Sequence, residues 1–308
     1  MVKRKNKHLF VIFFAILGAV LWGVDGIVSQ FLFQRTPINL IWLIGIRMFV
    51  SGILLLVIAY FLEGSAIFNV WREKGSIFAM LLYAIVGLSG DQLTYSMAIN
   101  VSTAAMATIL QSLSVVFVVI FSAIIFRQFP NGLRWLAIVM ATLGTWLLVT
   151  KGSFNHIELN APTLAWGLAF AVCAALNNVL PVKLVASFGS FPVMGWGMLI
   201  GGLIFGCFHP IWVGAPHFTL PTFAGIAFTS IVGTGLAYVI FVTSLKYITA
   251  TEATVLNTFE PLTAVVLGFL FMGLQLNWAE ILGAVLILAT TVILAFDNQS
   301  ASSQKKKE

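Results

Sequence analysis

Apolar residues along this chain neither alternate with period two nor line one face of a helix. They run almost unbroken for about 20 residues at a time, separated by short polar stretches. A helix of that length spans the roughly 30 Å hydrocarbon core of a bilayer. Ten such segments are predicted, over approximately residues 9–33, 38–62, 76–98, 103–126, 133–150, 163–187, 191–212, 220–245, 252–272 and 278–296. Turn-forming residues punctuate them: Pro37, Pro130-Asn131-Gly132, Lys151-Gly152-Ser153, Pro216 and Pro221. Hydrocarbon offers backbone N–H and C=O groups no partner, so segments that cross it must close their hydrogen bonds internally, as helices do. The predicted fold class is therefore all-α integral membrane, with ten transmembrane helices. The first run exceeds the 7 to 15 apolar residues of a signal peptide and is read as a retained span.

Within this pattern the chain repeats itself. Ala107-Thr108-Ile109-Leu110-Gln111-Ser112 returns 146 positions later as Ala253-Thr254-Val255-Leu256-Asn257-Thr258. The register holds as far as Leu133-Arg134-Trp135-Leu136-Ala137 against Ala279-Glu280-Ile281-Leu282-Gly283. Ten spans divide into five and five. Two copies with an odd number of spans lie in opposite orientations, an inverted repeat of the kind on which many secondary transporters are built. The expected organisation is a first five-helix repeat over 1–155, a second over 156–297, and a tail over 298–308.

Composition agrees with the pattern. Hydrophobic residues make up 60% of the 308 positions and charged residues 8%, and mean hydropathy is +1.04. Soluble domains carry about 25% charge, so a soluble fold is excluded. The net charge of +6 follows from topology. Lys3, Arg4, Lys5, Lys7, Arg72, Lys74, Arg127, Arg134, Lys183, Lys246 and Lys305 to Lys307 fall on one side, and only Arg35 and Lys151 on the other. Cytoplasmic loops accumulate Lys and Arg, which predicts a multi-pass protein of the plasma (inner) membrane with both termini cytoplasmic. The charge is scattered over span ends and forms no basic face, so nucleic acid is excluded as a partner. The tails Met1–Lys7 and Asn298–Glu308 are expected to be disordered. Cys173 and Cys207 lie in apolar runs without disulfide or zinc spacing.

Candidate chemistry lies where polarity interrupts the runs. Charge near the bilayer centre costs at least about 2.5–3.5 kcal/mol. Asp25, Arg47, Asp91 and Glu260 are placed there. Arg47 is expected to form a structural ion pair with one aspartate, leaving the other free to meet a ligand or a proton. Tyr95 lies one turn beyond Asp91 on the same face, and Gln92 is adjacent. Gln111 and Asn257 occupy matching repeat positions, and Asn177, Asn178 and Tyr238 add further polar groups. Pro261 deprives the carbonyl of Asn257 of its helical donor, and Pro181 does the same to Asn177. The first copy has Ser114-Val115 where the second has Glu260-Pro261, so the break at Pro261 is expected on one side only. Gly195, Gly201, Gly202 and Gly206 suit close helix approach in the seventh span. Trp42, Trp166, Trp212 and Trp278 are expected as anchors at one interface and Trp71 and Trp135 at the other; Trp22, mid-span, is placed towards a cavity.

These residues resemble the ten-span drug/metabolite transporter superfamily, EamA type. The resemblance rests on Leu21-Trp22-Gly23, on Arg47, on Ser244-Leu245-Lys246 and on Glu260-Pro261-Leu262, in that order along a duplicated chain. It implies movement of small metabolites, often amino acids, through a cavity lined by the first, third, fourth, sixth, eighth and ninth helices. Gly273 and Gln128 stand where the family often has an acid, so roles assigned to those acids do not carry over.

The expected function is thus secondary transport, as an exporter, of a small polar metabolite such as an amino acid by alternating access. Asp91, Tyr95, Gln111, Asn177, Asn257, Trp22 and Tyr238 are the candidate substrate contacts. Glu260, Pro261 and Asp25 are the candidates for gating or proton linkage. No catalytic residue, metal or cofactor is expected. The partners are a small-molecule substrate and the lipid bilayer, with proton coupling and a homodimer left open. The alternatives are a transporter of another metabolite or drug-like solute, and an intramembrane aspartyl protease using Asp25 and Asp91; the protease reading lacks the flanking signature, since Val24 and Leu88 replace its Tyr and Gly.

Overall fold

The computed structural model describes residues 2–126, 132–153, 159–244, 247–248 and 250–305. Arg127, Gln128, Pro130, Asn131, the boundary at 155/156, His156, Leu245, Lys246, Lys306 and Lys307 lie outside the described residues.

Among the described residues ten apolar helical segments follow one another, each close to its predicted position. Eight are long enough to cross a membrane: Phe10–Arg35, Leu40–Trp71, Lys74–Val101, Ala104–Phe121, Gly132–Thr150, Ala161–Phe188, Ser190–Phe208 and Leu220–Ser244. Two shorter ones complete the set, Val255–Phe271 and Trp278–Leu294. They are numbered here as the first to tenth spans. The helix of the first span begins at Val2 and that of the tenth runs to Lys305, so 2–7 and 298–305 are helical where disorder was expected. Extending a nucleated helix costs little, and Lys, Arg, Gln and Ala extend it well.

The polarity of the bundle is inverted relative to a soluble protein. Phe61, Phe78, Phe208, Leu220 and Phe269 are exposed, whereas Asp25, Gln30, Arg47, Asp91 and Glu260 are buried. An apolar exterior of this extent needs lipid to cover it. Trp135, Trp212 and Trp278 are exposed as interface anchors would be. Trp42 is not: it is buried, and its Nε1 donates to the carbonyl of Ile211 at 2.7 Å, tying the second span to the loop after the seventh.

Neighbour relations respect the repeat. The second span packs along the seventh, and the fifth along the tenth. The first touches the eighth and ninth, as the sixth touches the third and fourth; the second touches the eighth, as the seventh touches the third. Exchanging the halves leaves this pattern unchanged.

The symmetry reaches single residues. A Cβ on Gly202 would lie 2.5 Å from the backbone nitrogen of Phe49, and one on Gly195 would lie 2.9 Å from Cγ of Leu56. Adding 146 to 49 and to 56 gives 195 and 202, so these are one contact seen twice. Gly144 and Gly283 bring the fifth and tenth spans equally close, each virtual Cβ falling within 2.7 Å of the other's carbonyl oxygen. Gly206, by contrast, has open space around it.

Backbone irregularities recur at the same interval. The third span widens into a π-helical turn at Tyr83–Ser89, and the eighth at Phe228–Leu236. A hydroxyl bonds within each turn: Ser89 donates to Ala84 O at 2.7 Å and Thr234 to Thr229 O at 2.8 Å, each five residues back. The fourth span stops at Gln111 and restarts at Ser114, and the ninth stops at Asn257 and restarts at Phe259. At both breaks the bonding tightens to three-residue spacing, Leu113 N to Leu110 O at 3.0 Å and Thr258 N to Val255 O at 3.2 Å. The break expected only at Pro261 therefore has a counterpart without proline. In the sixth span the helix likewise ends at Val179 and resumes at Val182, across Pro181.

Candidate functional site

Helical spacing assembles the site from four spans. Asp25 and Ser29 lie four residues apart on the first span, Arg47 and Ser51 four apart on the second, and Asp91 and Tyr95 four apart on the third. Each pair thus presents two polar groups on one face. Glu260 sits in the first turn of the helix Phe259–Phe271, where free N–H groups favour a carboxylate. All seven side chains are buried.

Arg47 organises them. Its Nη2 lies 3.2 Å from Oδ2 of Asp25 and donates to Oε1 of Gln92 at 3.0 Å. Its Nη1 donates to Oγ of Ser29 at 3.2 Å. The Tyr95 ring lies 5.7 Å from Cζ, within range of a cation–π contact. One guanidinium thereby ties the first, second and third spans together. Ser51 donates to the carbonyl of Ser230 at 2.6 Å and links the second span to the π turn of the eighth.

Three glycines make room. A Cβ on Gly233 would fall 2.4 Å from Oδ1 of Asp25, one on Gly26 3.0 Å from the Tyr95 hydroxyl, and one on Gly23 2.6 Å from the carbonyl of Glu260. The first span thus packs directly on the third, eighth and ninth. Gln30 closes another joint, accepting from the N–H of Ala104 at 2.8 Å at the start of the fourth span.

Charge is unbalanced. Arg47 acts electrostatically on both Asp25 and Asp91, and Glu260 feels both aspartates. Among the described residues Arg47 is the buried cation facing these three carboxyl groups. Buried polar atoms without a partner include Oδ1 of Asp25, Oδ1 of Asp91, Oδ1 of Asn177, Oδ1 of Asn257, Oγ of Ser230 and Nε of Arg47. Such atoms cost about 1–3 kcal/mol each unless water or a ligand meets them. Among the described residues no group of three His, Cys, Asp or Glu is placed to hold a metal ion.

The structure brings together Asp25, Arg47 and Tyr95, with Asp91 and Glu260 within electrostatic reach. Gln111 and Asn257 end the first helical pieces of the fourth and ninth spans, both half-buried, and the piece that Gln111 ends packs against the second piece of the ninth span. Asn178 donates to Ala174 O at 2.9 Å and is satisfied within its own helix. Trp22 rests on Phe241 with ring centroids 4.9 Å apart. Tyr238 packs against the cluster of Tyr83, Leu88 and Met198 among the second, third and seventh spans. Pro261 is buried next to Glu260 in the first turn of the same helix. Ser29, Ser51, Ser230 and Gln30 went unread in the sequence. The first two were signalled by lying one turn beyond a buried charge; Gln30 and Ser230 carried no local signal.

Similarity to known proteins follows the same division. The sequence profile of the EamA-like transporter family matches twice, over residues 9–150 and 161–296. The uncharacterized inner membrane transporter YicL of Salmonella typhimurium is 31% identical over 286 residues, covering 92% of this chain and 94% of that one. The threonine/homoserine exporter RhtA of the same organism is 26% identical over 74% of this chain and 75% of its own. A probable amino-acid metabolite efflux pump, again from Salmonella typhimurium, is 24% identical over 92% of this chain and 94% of its own. A crystal structure at 16% identity shares the fold, with a TM-score of 0.62 over 94% of this chain and 96% of that one. With both halves matched by one profile, the chain belongs to the EamA-like transporter family, as a multi-pass transporter of small molecules across a membrane.

Proposed function

We propose that this transporter exports a small polar metabolite, most simply an amino acid, by alternating access about the Arg47 cluster. The observation that carries the reading is the position of that cluster. It sits buried in the seam between two symmetry-related halves, next to spans whose helices are broken at equivalent points. Broken spans leave carbonyls and side-chain amides free to face a solute, the arrangement that transporters with inverted repeats use at their binding sites. The π turns and the breaks at Gln111 and Asn257 are where the halves 1–155 and 156–297 would flex. In this reading Asp91, Tyr95, Gln111, Asn177 and Asn257 meet the solute, Trp22 and Tyr238 line its path, and Glu260 with Pro261 forms the gate.

The amino-acid assignment is supported by the names of the relatives, an exporter of threonine and homoserine and a probable amino-acid metabolite efflux pump. Location in the inner membrane is supported by the YicL relative, and cytoplasmic termini by the bias of Lys and Arg. Proton coupling is supported by the excess of carboxyl groups over cations around Arg47. The exposed apolar surface leaves room for a homodimer within the bilayer. A protease reading is disfavoured because Asp25 is engaged by Arg47, whereas an aspartyl dyad needs its two carboxyls to share a proton.

Efflux of labelled threonine from preloaded vesicles tests the proposal. Gln111→Ala and Asn257→Ala should each abolish it while the protein still inserts. Unchanged efflux in both would remove the cavity assignment, and no movement of any solute across a broad metabolite panel would remove transport itself.

A further inference from the structure

We infer that the central site recognises its solute through an ammonium group and leaves the solute's carboxylate unbound by Arg47. The inference rests on the transporter reading above and narrows what that transporter selects.

An arginine in a pocket is the usual partner for a carboxylate, because its planar fork matches two oxygens at once. Here the fork is occupied. Nη2 serves Asp25 and Gln92, Nη1 serves Ser29, and the guanidinium lies beside the Tyr95 ring. Both terminal nitrogens, the pair that would grip a carboxylate in parallel, are held by the first and third spans. Only Nε, on the stem side, has no partner. Freeing the fork would mean breaking a buried ion pair and three further contacts, and breaking such a pair is strongly unfavourable.

The groups that remain open point to the opposite charge. Oxygens of Asp25, Asp91, Asn177 and Asn257 are buried without donors, and Ser230 Oγ is buried without a partner. Carboxylate oxygens only accept hydrogen bonds, and an ammonium only donates them. Asp91 is more than nine-tenths buried, and Glu260 equally so. Asp91 lies in the field of Arg47, and Glu260 in the field of both aspartates. A further cation entering this region lowers the electrostatic cost that a further anion would raise. Aromatic surface is at hand as well, with Tyr95 against Phe170 at 5.2 Å between centroids. The solute class is therefore a small primary amine, with or without a carboxylate, and an acid lacking the amine is excluded.

Three probes that share one side chain test this in proteoliposomes containing the full chain: threonine, its carboxamide and N-acetylthreonine. They carry both charges, only the positive charge, and only the negative charge. Threoninamide should compete with labelled threonine at least as well as threonine itself, and N-acetylthreonine about tenfold less well or worse, a difference read as the ratio of half-inhibitory concentrations. Asp91→Asn should cost threonine and threoninamide about tenfold while melting like the parent, because it removes charge at constant shape. If that variant does not fold, Glu260→Gln probes the same field from the ninth span. Competition by N-acetylthreonine as strong as by threoninamide overturns the inference and leaves the transporter reading intact. So does a charge preference unmoved in the folded variants. If none of the three moves and the anions of a wider panel do, this inference alone falls. If nothing in the panel moves, both readings fall.

Discussion

Asp25 and Arg47 face each other across the first and second spans with Oδ2 and Nη2 3.2 Å apart, each side chain 4% exposed or less. An ion pair this deep contributes little net stability, since both ions gave up water to form it, yet losing one partner strands the other. Arg47→Ala should therefore lower stability by about 3–5 kcal/mol. The double variant Asp25→Leu with Arg47→Met should recover most of that loss while transport stays absent. Unfolding by detergent titration, followed by tryptophan fluorescence, would read both; a single variant as stable as the parent would contradict the packing described.

Glycine at the seam between second and seventh spans has a sharper test. Gly202→Ala places a methyl 2.5 Å from the nitrogen of Phe49, against backbone that cannot step aside. Overpacking of this kind costs about 1–3 kcal/mol. Gly206→Ala, four residues on, meets open space and should be neutral or slightly stabilising, because alanine favours helix. Equal melting temperatures for the two variants would show that the spans do not approach as closely as described.

The ninth span is broken with a proline and the fourth without one. Replacing Pro261 by alanine restores a donor four residues beyond Asn257. If the break is used in the transport cycle, Pro261→Ala should slow efflux about tenfold, some 1.4 kcal/mol in the barrier, with no loss of stability. An undiminished rate would mean that side chains around Thr258 alone keep the helix open.

Reciprocal caps fix the start of the tenth span. Asn277 N donates to Oε2 of Glu280 and Glu280 N donates to Oδ1 of Asn277, both at 2.8 Å, while Nδ2 of Asn277 donates to the carbonyl of Lys151 at 3.1 Å. Lys151 Nζ stands 3.9 Å from Oε1 of the same Glu280, half-exposed, and adds little. Asn277→Ala should cost about 1 kcal/mol, the usual worth of a cap, and Lys151→Ala far less. The same unfolding assay ranks them, and a larger effect from the lysine would reverse the assignment.

Glu260 offers a functional readout. If it carries the coupling proton, Glu260→Gln should still sustain exchange between equal pools at saturating solute, with weaker solute binding, and remove the response of net efflux to a collapsed pH gradient. A variant that still follows the gradient would move the proton site to Asp91 or Asp25.

Much of this architecture could be read from the linear pattern because the bilayer imposes a length. Span number, the duplication and the buried charges all follow from rules about hydrocarbon that act locally on the chain. The pairing of Arg47 with Asp25 rather than Asp91 was not readable, since it depends on how three helices rotate against one another. Glycines at 26 and 233 decide that rotation by letting Tyr95 and Asp25 approach. The symmetric break in the fourth span was hidden for a different reason. Proline marks a break from outside the hydrogen-bond ladder, whereas Ser112 and Leu113 adopt one through three-residue bonding that their side chains do not announce. Trp42 was misread because an aromatic near a span end anchors to lipid unless a neighbouring loop covers it, as Ile211 does here.

Symmetry of backbone without symmetry of charge has a kinetic consequence. At the repeat interval Arg47 corresponds to Val193, Asp91 to Ala237 and Glu260 to Ser114, so the acids and the guanidinium have uncharged partners. In the proposed alternating-access cycle the two halves trade conformations and the bundle regains its shape, but every ionised group stays with its own half and meets the opposite doorway. Under that cycle a carrier of this build would offer unequal half-saturation concentrations to its two sides. It cannot rectify flow at equilibrium, but it can be slow to refill from one compartment and quick to empty into the other, which is how a reversible machine comes to serve as a one-way valve under cellular conditions.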